Sequence, residues 1–132
     1  MQKLMLFTAS ILLLAACHSN QGVADLKLNN GEKWEVNAEM TPHIQQGSQI
    51  LSDYVAQSSS DYKKLAADLK AQNDQLIKSC TMKGESHDEL HKWLHPHMSL
   101  VEKLDEAADA TEARAIVAQL EQSYKTYQKF FK

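Results

Sequence analysis

The chain has 132 residues, 14 lysines and arginines against 17 aspartates and glutamates, and a formal net charge of −3 with its six histidines neutral. An acidic balance of this kind gives no electrostatic footprint for a phosphate backbone, so nucleic acid is excluded as a partner. The length suits one domain with a modest core.

The first element is an apolar run from Leu4 to Leu14 behind a single positive charge, Lys3. It has the length of a signal-peptide apolar region and is too short to span a bilayer as a helix. The four residues at its end, Leu14-Ala15-Ala16-Cys17, resemble the lipobox of bacterial lipoprotein precursors. That resemblance implies cleavage after Ala16, acylation of Cys17 with palmitate-like chains, and a domain anchored to a membrane in the cell envelope. His18 stands where an aspartate would imply inner-membrane retention, so the resemblance implies an outer-membrane anchor facing the periplasm. Each buried methylene contributes ~0.8 kcal/mol, so several acyl chains on one residue hold a small domain without any spanning helix. Loss of residues 1–16 removes only Lys3 among the charged residues and takes the net charge from −3 to −4. With Cys17 lipidated, Cys80 is the one cysteine left, and no internal disulfide is expected in an oxidising compartment.

Residues 17–25 read as a lipidated tether of small and polar residues. Residues 26–37 read as a short β-hairpin or extended segment, with Leu26-Lys27-Leu28 and Trp34-Glu35-Val36 on either side of Asn29-Asn30-Gly31. A three-residue turn with Gly31 left-handed sets Leu28 opposite Glu32 and Leu26 opposite Trp34, which keeps Leu26, Leu28, Trp34 and Val36 on one face.

Residues 38–132 predict an all-α domain, an antiparallel up-down-up-down four-helix bundle. Breaks at Ser58-Ser59-Ser60, Met82-Lys83-Gly84 and Asp109-Ala110-Thr111 separate the helices. The first, from about Ala38 to Gln57, carries Met40, Ile44, Gly47, Leu51, Tyr54 and Val55 along a stripe, with Pro42 in its first turn. The second carries Tyr62, Leu65, Leu69 and Leu76 and ends near Ser79. The third opens on Ser86-His87-Asp88-Glu89, a capping box by pattern, and presents Leu90, Leu94, Val101 and Leu104, with Pro96 predicted to kink it. The fourth, from about Glu112, shows Ile116, Val117, Leu120, Tyr124, Tyr127 and Phe131.

Chemistry-bearing side chains concentrate in one stretch: Cys80, Met82, His87, His91, His95, His97 and Met98 fall within 19 positions. His87 and His91 are four apart, so one helical turn puts both imidazoles on one side, a spacing by which helices hold a metal; His91 and His95 repeat it. An up-down path brings the start of the first helix to the bundle end where the second finishes and the third begins. Met40 and His43 are therefore expected near Cys80, Met82 and His87. A thiol, thioethers and imidazoles form a soft donor set that favours copper, with zinc second. The expected site is Cys80, His87 and His91, completed by His43, Met40 and Met82.

Plainer readings stand beside this. His87 and His97 are in register with the apolar stripe and suit satisfied core histidines. Met40, Met82 and Met98 suit packing. The alternative function is a non-catalytic envelope interaction module in which Trp93, off the predicted stripe, and the histidine cluster dock a protein partner. No Cys-x-x-Cys-His, glycine-rich phosphate loop or Gly-x-Ser-x-Gly nucleophile turn is present, so covalent haem, nucleotide and serine-hydrolase chemistries lack their parts. The run Cys80-Thr81-Met82-Lys83-Gly84, continued by His87-Asp88-Glu89-Leu90-His91-Lys92-Trp93-Leu94, resembles a segment of small helical proteins of the bacterial envelope. The resemblance implies that the segment acts as a unit and brings no activity with it.

Overall fold

The computed structural model describes residues 25–132; the expected signal peptide, Cys17 and the tether as far as residue 24 lie outside the described residues. Four helices follow in order: α1 (Thr41–Ala56), α2 (Tyr62–Ser79), α3 (Glu85–Glu106) and α4 (Ala110–Phe130). Connections of three to five residues join them, too short for anything but a reversal, so each helix runs antiparallel to the last. The architecture is the expected all-α four-helix bundle. Among the described residues, no helix is long and apolar enough to cross a membrane.

Local chemistry explains where the helices begin. The Asp61 carboxylate accepts from the Lys64 amide at 3.0 Å and opens α2, and Asp109 accepts from the Thr111 and Glu112 amides at 2.9 Å each and opens α4. Pro42 occupies the first turn of α1, where its missing N–H removes no bond. The expected capping box does not form at α3. Its N-cap is Gly84, with φ 72° and no side-chain bond. Glu89 is instead held by two partners: the Lys27 amide donates to it at 3.0 Å and the Lys92 ammonium at 2.6 Å. The helix continues through Pro96 to Glu106 without interruption.

Residues 25–40 form a strap that lies across the bundle. Asn29 and Glu32 exchange both backbone bonds at 2.9 Å around Asn30 and Gly31, whose φ angles are 50° and 91°. This is the two-residue mirror-image turn, so Leu28 lies opposite Lys33 and the expected three-residue register is corrected. The reason lies beyond the turn, where the arm leaves its neighbour and pairs with the end of α4. Trp34 N–H donates to Phe130 O at 2.8 Å, Lys132 N–H to Trp34 O at 2.9 Å and Val36 N–H to Lys132 O at 3.0 Å. No ladder then requires all four apolar residues on one face. Leu26 and Trp34 are buried, while Leu28 stays exposed. The Trp34 indole N–H donates to Lys27 O at 2.6 Å, and Asn37 ties the strap to the end of α2 through Ser79 O at 2.8 Å and the Thr81 amide at 3.1 Å.

The core is one cluster drawn from every helix and the strap. Trp93, Phe131, Met40, Leu69, Leu90, Leu104 and Leu120 are among its largest fully buried side chains. The helices pack closely in sequence, α1 on α2, α2 on α3 and α3 on α4, whereas α1 and α4 meet over only a short length. One point where they meet depends on Gly47. A Cβ built there would lie 2.3 Å from the Tyr124 hydroxyl oxygen, so only a bare backbone lets the phenol reach that position. On either side of this contact the seam opens.

Candidate functional site

The expected metal centre does not assemble. Among the described residues, no group of three or more histidine, cysteine, aspartate or glutamate side chains is placed to hold a metal ion. Met40 is sealed in the core with no exposure. His43 faces α2, with Nδ1 3.3 Å from Gln72 Oε1. Cys80 is a half-buried free thiol at the C-cap of α2, and Met82 packs half-buried against the core. His87 and His91 lie side by side along α3 with ring centroids 4.2 Å apart and ring planes tilted by 49°. The copper or zinc reading through Cys80, His87, His91, His43, Met40 and Met82 is therefore withdrawn. Topology brings these backbones to one end of the bundle and His87 meets His91, but helix rotation turns Met40 into the core and His43 onto Gln72.

The histidines of α3 divide into two kinds. His87, His91 and His95 form an outward column in which His95 Nε2 lies 3.1 Å from His91 Nδ1. Partial burial and the neighbouring charges of His87 and His95 hold the His91 pKa below its ordinary value. His97 faces inward and is fully buried. It stacks on Trp93 at 4.8 Å, meets Tyr124 edge-on at 4.7 Å and places Nδ1 2.9 Å from Ser123 Oγ. Its Nε2 is buried and finds no hydrogen-bond partner among the described residues. Burial pushes its pKa down to about 4, so the ring is neutral at physiological pH.

Trp93 is not a docking residue. It is 1% exposed and its indole N–H donates to Ser123 O at 2.8 Å. Its position off the expected stripe has a simple cause: α3 packs against both α2 and α4, so its buried face widens to include Glu89, Trp93 and His97.

The open α1–α4 seam holds a concavity of about 600 Å³. The buried Tyr124, Tyr127 and Phe131 of the α4 end form its floor, with Tyr127 and Phe131 stacked at 5.3 Å. The walls are uncharged donors and acceptors: Gln45, Ser48, Gln49 and Ser52 from α1, and Gln128 from α4. Lys33 and Lys132 stand at one end, and among the described residues no aspartate or glutamate side chain lines the groove. Lys132 lies 3.6 Å from Glu35, and both are exposed. Burial raises the Tyr127 phenol to about 12 and the Tyr124 phenol further, so both hydroxyls remain neutral and able to donate as well as accept. Amides and hydroxyls over an aromatic floor suit a ligand rich in hydroxyl and amide groups, and the lysines favour negative charge at one end.

Sequence reasoning did not find this groove, although a signal for it was present. From Met40 to Ser52 the chain has no lysine, arginine, aspartate or glutamate, an unusual interval in a sequence that is 23% charged. Comparison with protein-family models, with curated proteins and with solved structures found no match. The described residues thus form an all-α four-helix bundle with an open α1–α4 seam.

Proposed function

We propose that the chain is an outer-membrane lipoprotein of the bacterial envelope, held by acylated Cys17, whose bundle captures an acidic glycan in the α1–α4 groove. The observation that carries the binding reading is the groove itself: an aromatic floor, walls of glutamine and serine, two lysines and no aspartate or glutamate side chain among the described residues, on a chain of net charge −3. Side-chain amides and hydroxyls match sugar hydroxyls and N-acetyl groups by direct hydrogen bonds. The lysines match carboxylates carried by lactyl or uronic substituents. The anchor is supported by the lipobox resemblance and by the seven tether residues from His18 to Ala24, which at ~3.3–3.6 Å per residue keep the bundle within about 25 Å of the lipid surface.

Two measurements test the two halves separately. Mass analysis of the N-terminal peptide from membrane-extracted protein is expected to show Cys17 first and acylated; an unmodified Cys17 behind an intact residue 16 contradicts the anchor. Calorimetric titration of the full chain in detergent with soluble muropeptides is expected to saturate at one per chain. Binding is expected to weaken in Gln49→Ala and in Lys33→Glu, both exposed positions. No heat of binding, or equal binding by these variants, contradicts the groove reading.

A further inference from the structure

A second concavity of about 310 Å³ lies on another face, between α2 and α3. Its floor is made by Ala66, Val101 and Met98, and beside them is Asn73, 6% exposed. The Asn73 carboxamide lines the cleft and makes no hydrogen bond to the described residues, although its atoms are not fully occluded. Its partly accessible amide can take a hydrogen bond from the cleft side. The rim has the opposite sign to the α1–α4 groove, with Asp74, Glu102, Asp105 and Glu106 against the single Lys70. That lysine is already engaged, its ammonium 2.9 Å from Asp74. The Lys63 ammonium reaches the backbone carbonyl of Asp105 and Lys70 feels the charge of Glu102 as well as that of Asp74, so two ammonium groups stand against four carboxylates.

The acids are spread along the cleft. Antiparallel pairing puts Asn73 and Asp74 beside Met98 at one end and Ala66 beside Asp105 and Glu106 at the other, consistent with Tyr62 and Lys63 reaching the carbonyls of Ala107 and Asp105. The seven helical steps from Met98 to Asp105 span roughly 10 Å at ~1.5 Å each. A single hydrated cation, or one lysine side chain from a partner protein, satisfies only one end of such a slot and leaves the apolar floor wet.

We infer that the α2–α3 cleft binds a linear aliphatic polyamine, its methylenes on Ala66, Val101 and Met98, its ammonium groups on Glu102, Asp105 and Asp74, and one N–H on the Asn73 carboxamide oxygen. Apolar contact along the chain and charge at both ends distinguish this ligand from a metal ion. This site is independent of the glycan groove and of the lipid anchor.

The test is titration of the full chain with spermidine, followed by calorimetry and by the NMR signals of the Asn73 side-chain amide, with Mg²⁺ as the point-charge comparison. Spermidine is expected to saturate at one per chain and to shift the Asn73 amide signals, while Mg²⁺ leaves them in place. The variant Glu102→Gln/Asp105→Asn changes only exposed side chains and is expected to lower spermidine affinity about tenfold or more. Unmoved Asn73 signals, equal effects of Mg²⁺ and spermidine, or undiminished affinity in the double variant each overturn the assignment and leave only counter-ions on an acidic surface.

Discussion

Replacement of His97 by phenylalanine probes the core through its one buried, unpartnered ring nitrogen. In the folded chain burial holds the imidazole pKa down to about 4, against an ordinary value of 6.5. Below about pH 4 both states hold the proton and above 6.5 neither does; between these limits the unfolded chain holds it and the folded chain does not. The stability associated with a neutral His97 is therefore full above pH 6.5 and is lost as pH falls towards 4. At about 1.4 kcal/mol per pH unit the loss is about 3 kcal/mol, a large share of the ~5–15 kcal/mol typical of a domain. Phenylalanine keeps the stack on Trp93 and cannot be protonated, and Ser123 can return its hydroxyl to the carbonyl of Gln119 one turn back. Urea unfolding from pH 7.5 to 4 is expected to show a steep fall for the wild type and a shallower one for His97→Phe. A residual slope is expected from His91 and Glu89. Burial pushes the Glu89 carboxyl up, but bonds from Lys92 and the Lys27 amide bring it below the ordinary range, so it too loses stabilisation as acid is added. Equal slopes in the two proteins would refute the reasoning.

Three further outcomes follow from the packing. Gly47→Ala puts a Cβ at 2.3 Å from the Tyr124 hydroxyl oxygen and is expected to cost about 1–3 kcal/mol; adding Tyr124→Phe recovers part of it in a double-mutant cycle, and simple additivity contradicts the contact. Trp93→Ala empties a site that is 1% exposed and is expected to lower stability by about 3–5 kcal/mol, whereas an unchanged melting temperature would restore Trp93 to a surface role. Glu89→Ala removes the acceptor of the Lys27 amide, so hydrogen exchange at Lys27 is expected to accelerate while the amides of α2 stay protected; unchanged exchange at Lys27 contradicts the strap contact.

The parts of this fold that were legible in the sequence are those set by local periodicity. Leu65, Leu69 and Leu76, or Ile116, Leu120, Tyr124 and Tyr127, repeat at helical spacing and are buried in α2 and α4, and Asp61 and Asp109 sit where their carboxylates reach free amides. Features that depend on a distant partner were not legible. Glu89 has the spacing of a capping box, yet the amide of Lys27, 62 residues earlier, holds its carboxylate. Trp34 belongs to a hairpin by pattern, yet it pairs with the end of α4. The cysteine, methionine and histidine side chains gathered by sequence and topology were separated by the rotation of each helix about its axis, which spacing along one helix does not encode. The groove has its sequence trace in the uncharged run of α1, a pattern that gains meaning only once Gly47 is seen against Tyr124.

The central claim is that the open seam between α1 and α4 is a binding site for an acidic glycan. Mapping of amide and side-chain NMR shifts on titration of the full chain with muropeptides tests it most directly. Shifts are expected to concentrate at Gln45, Gln49, Gln128 and the ring of Tyr127, with the outward histidines of α3 unmoved. Shifts centred on His87, His91 and His95, or none at all, would contradict it.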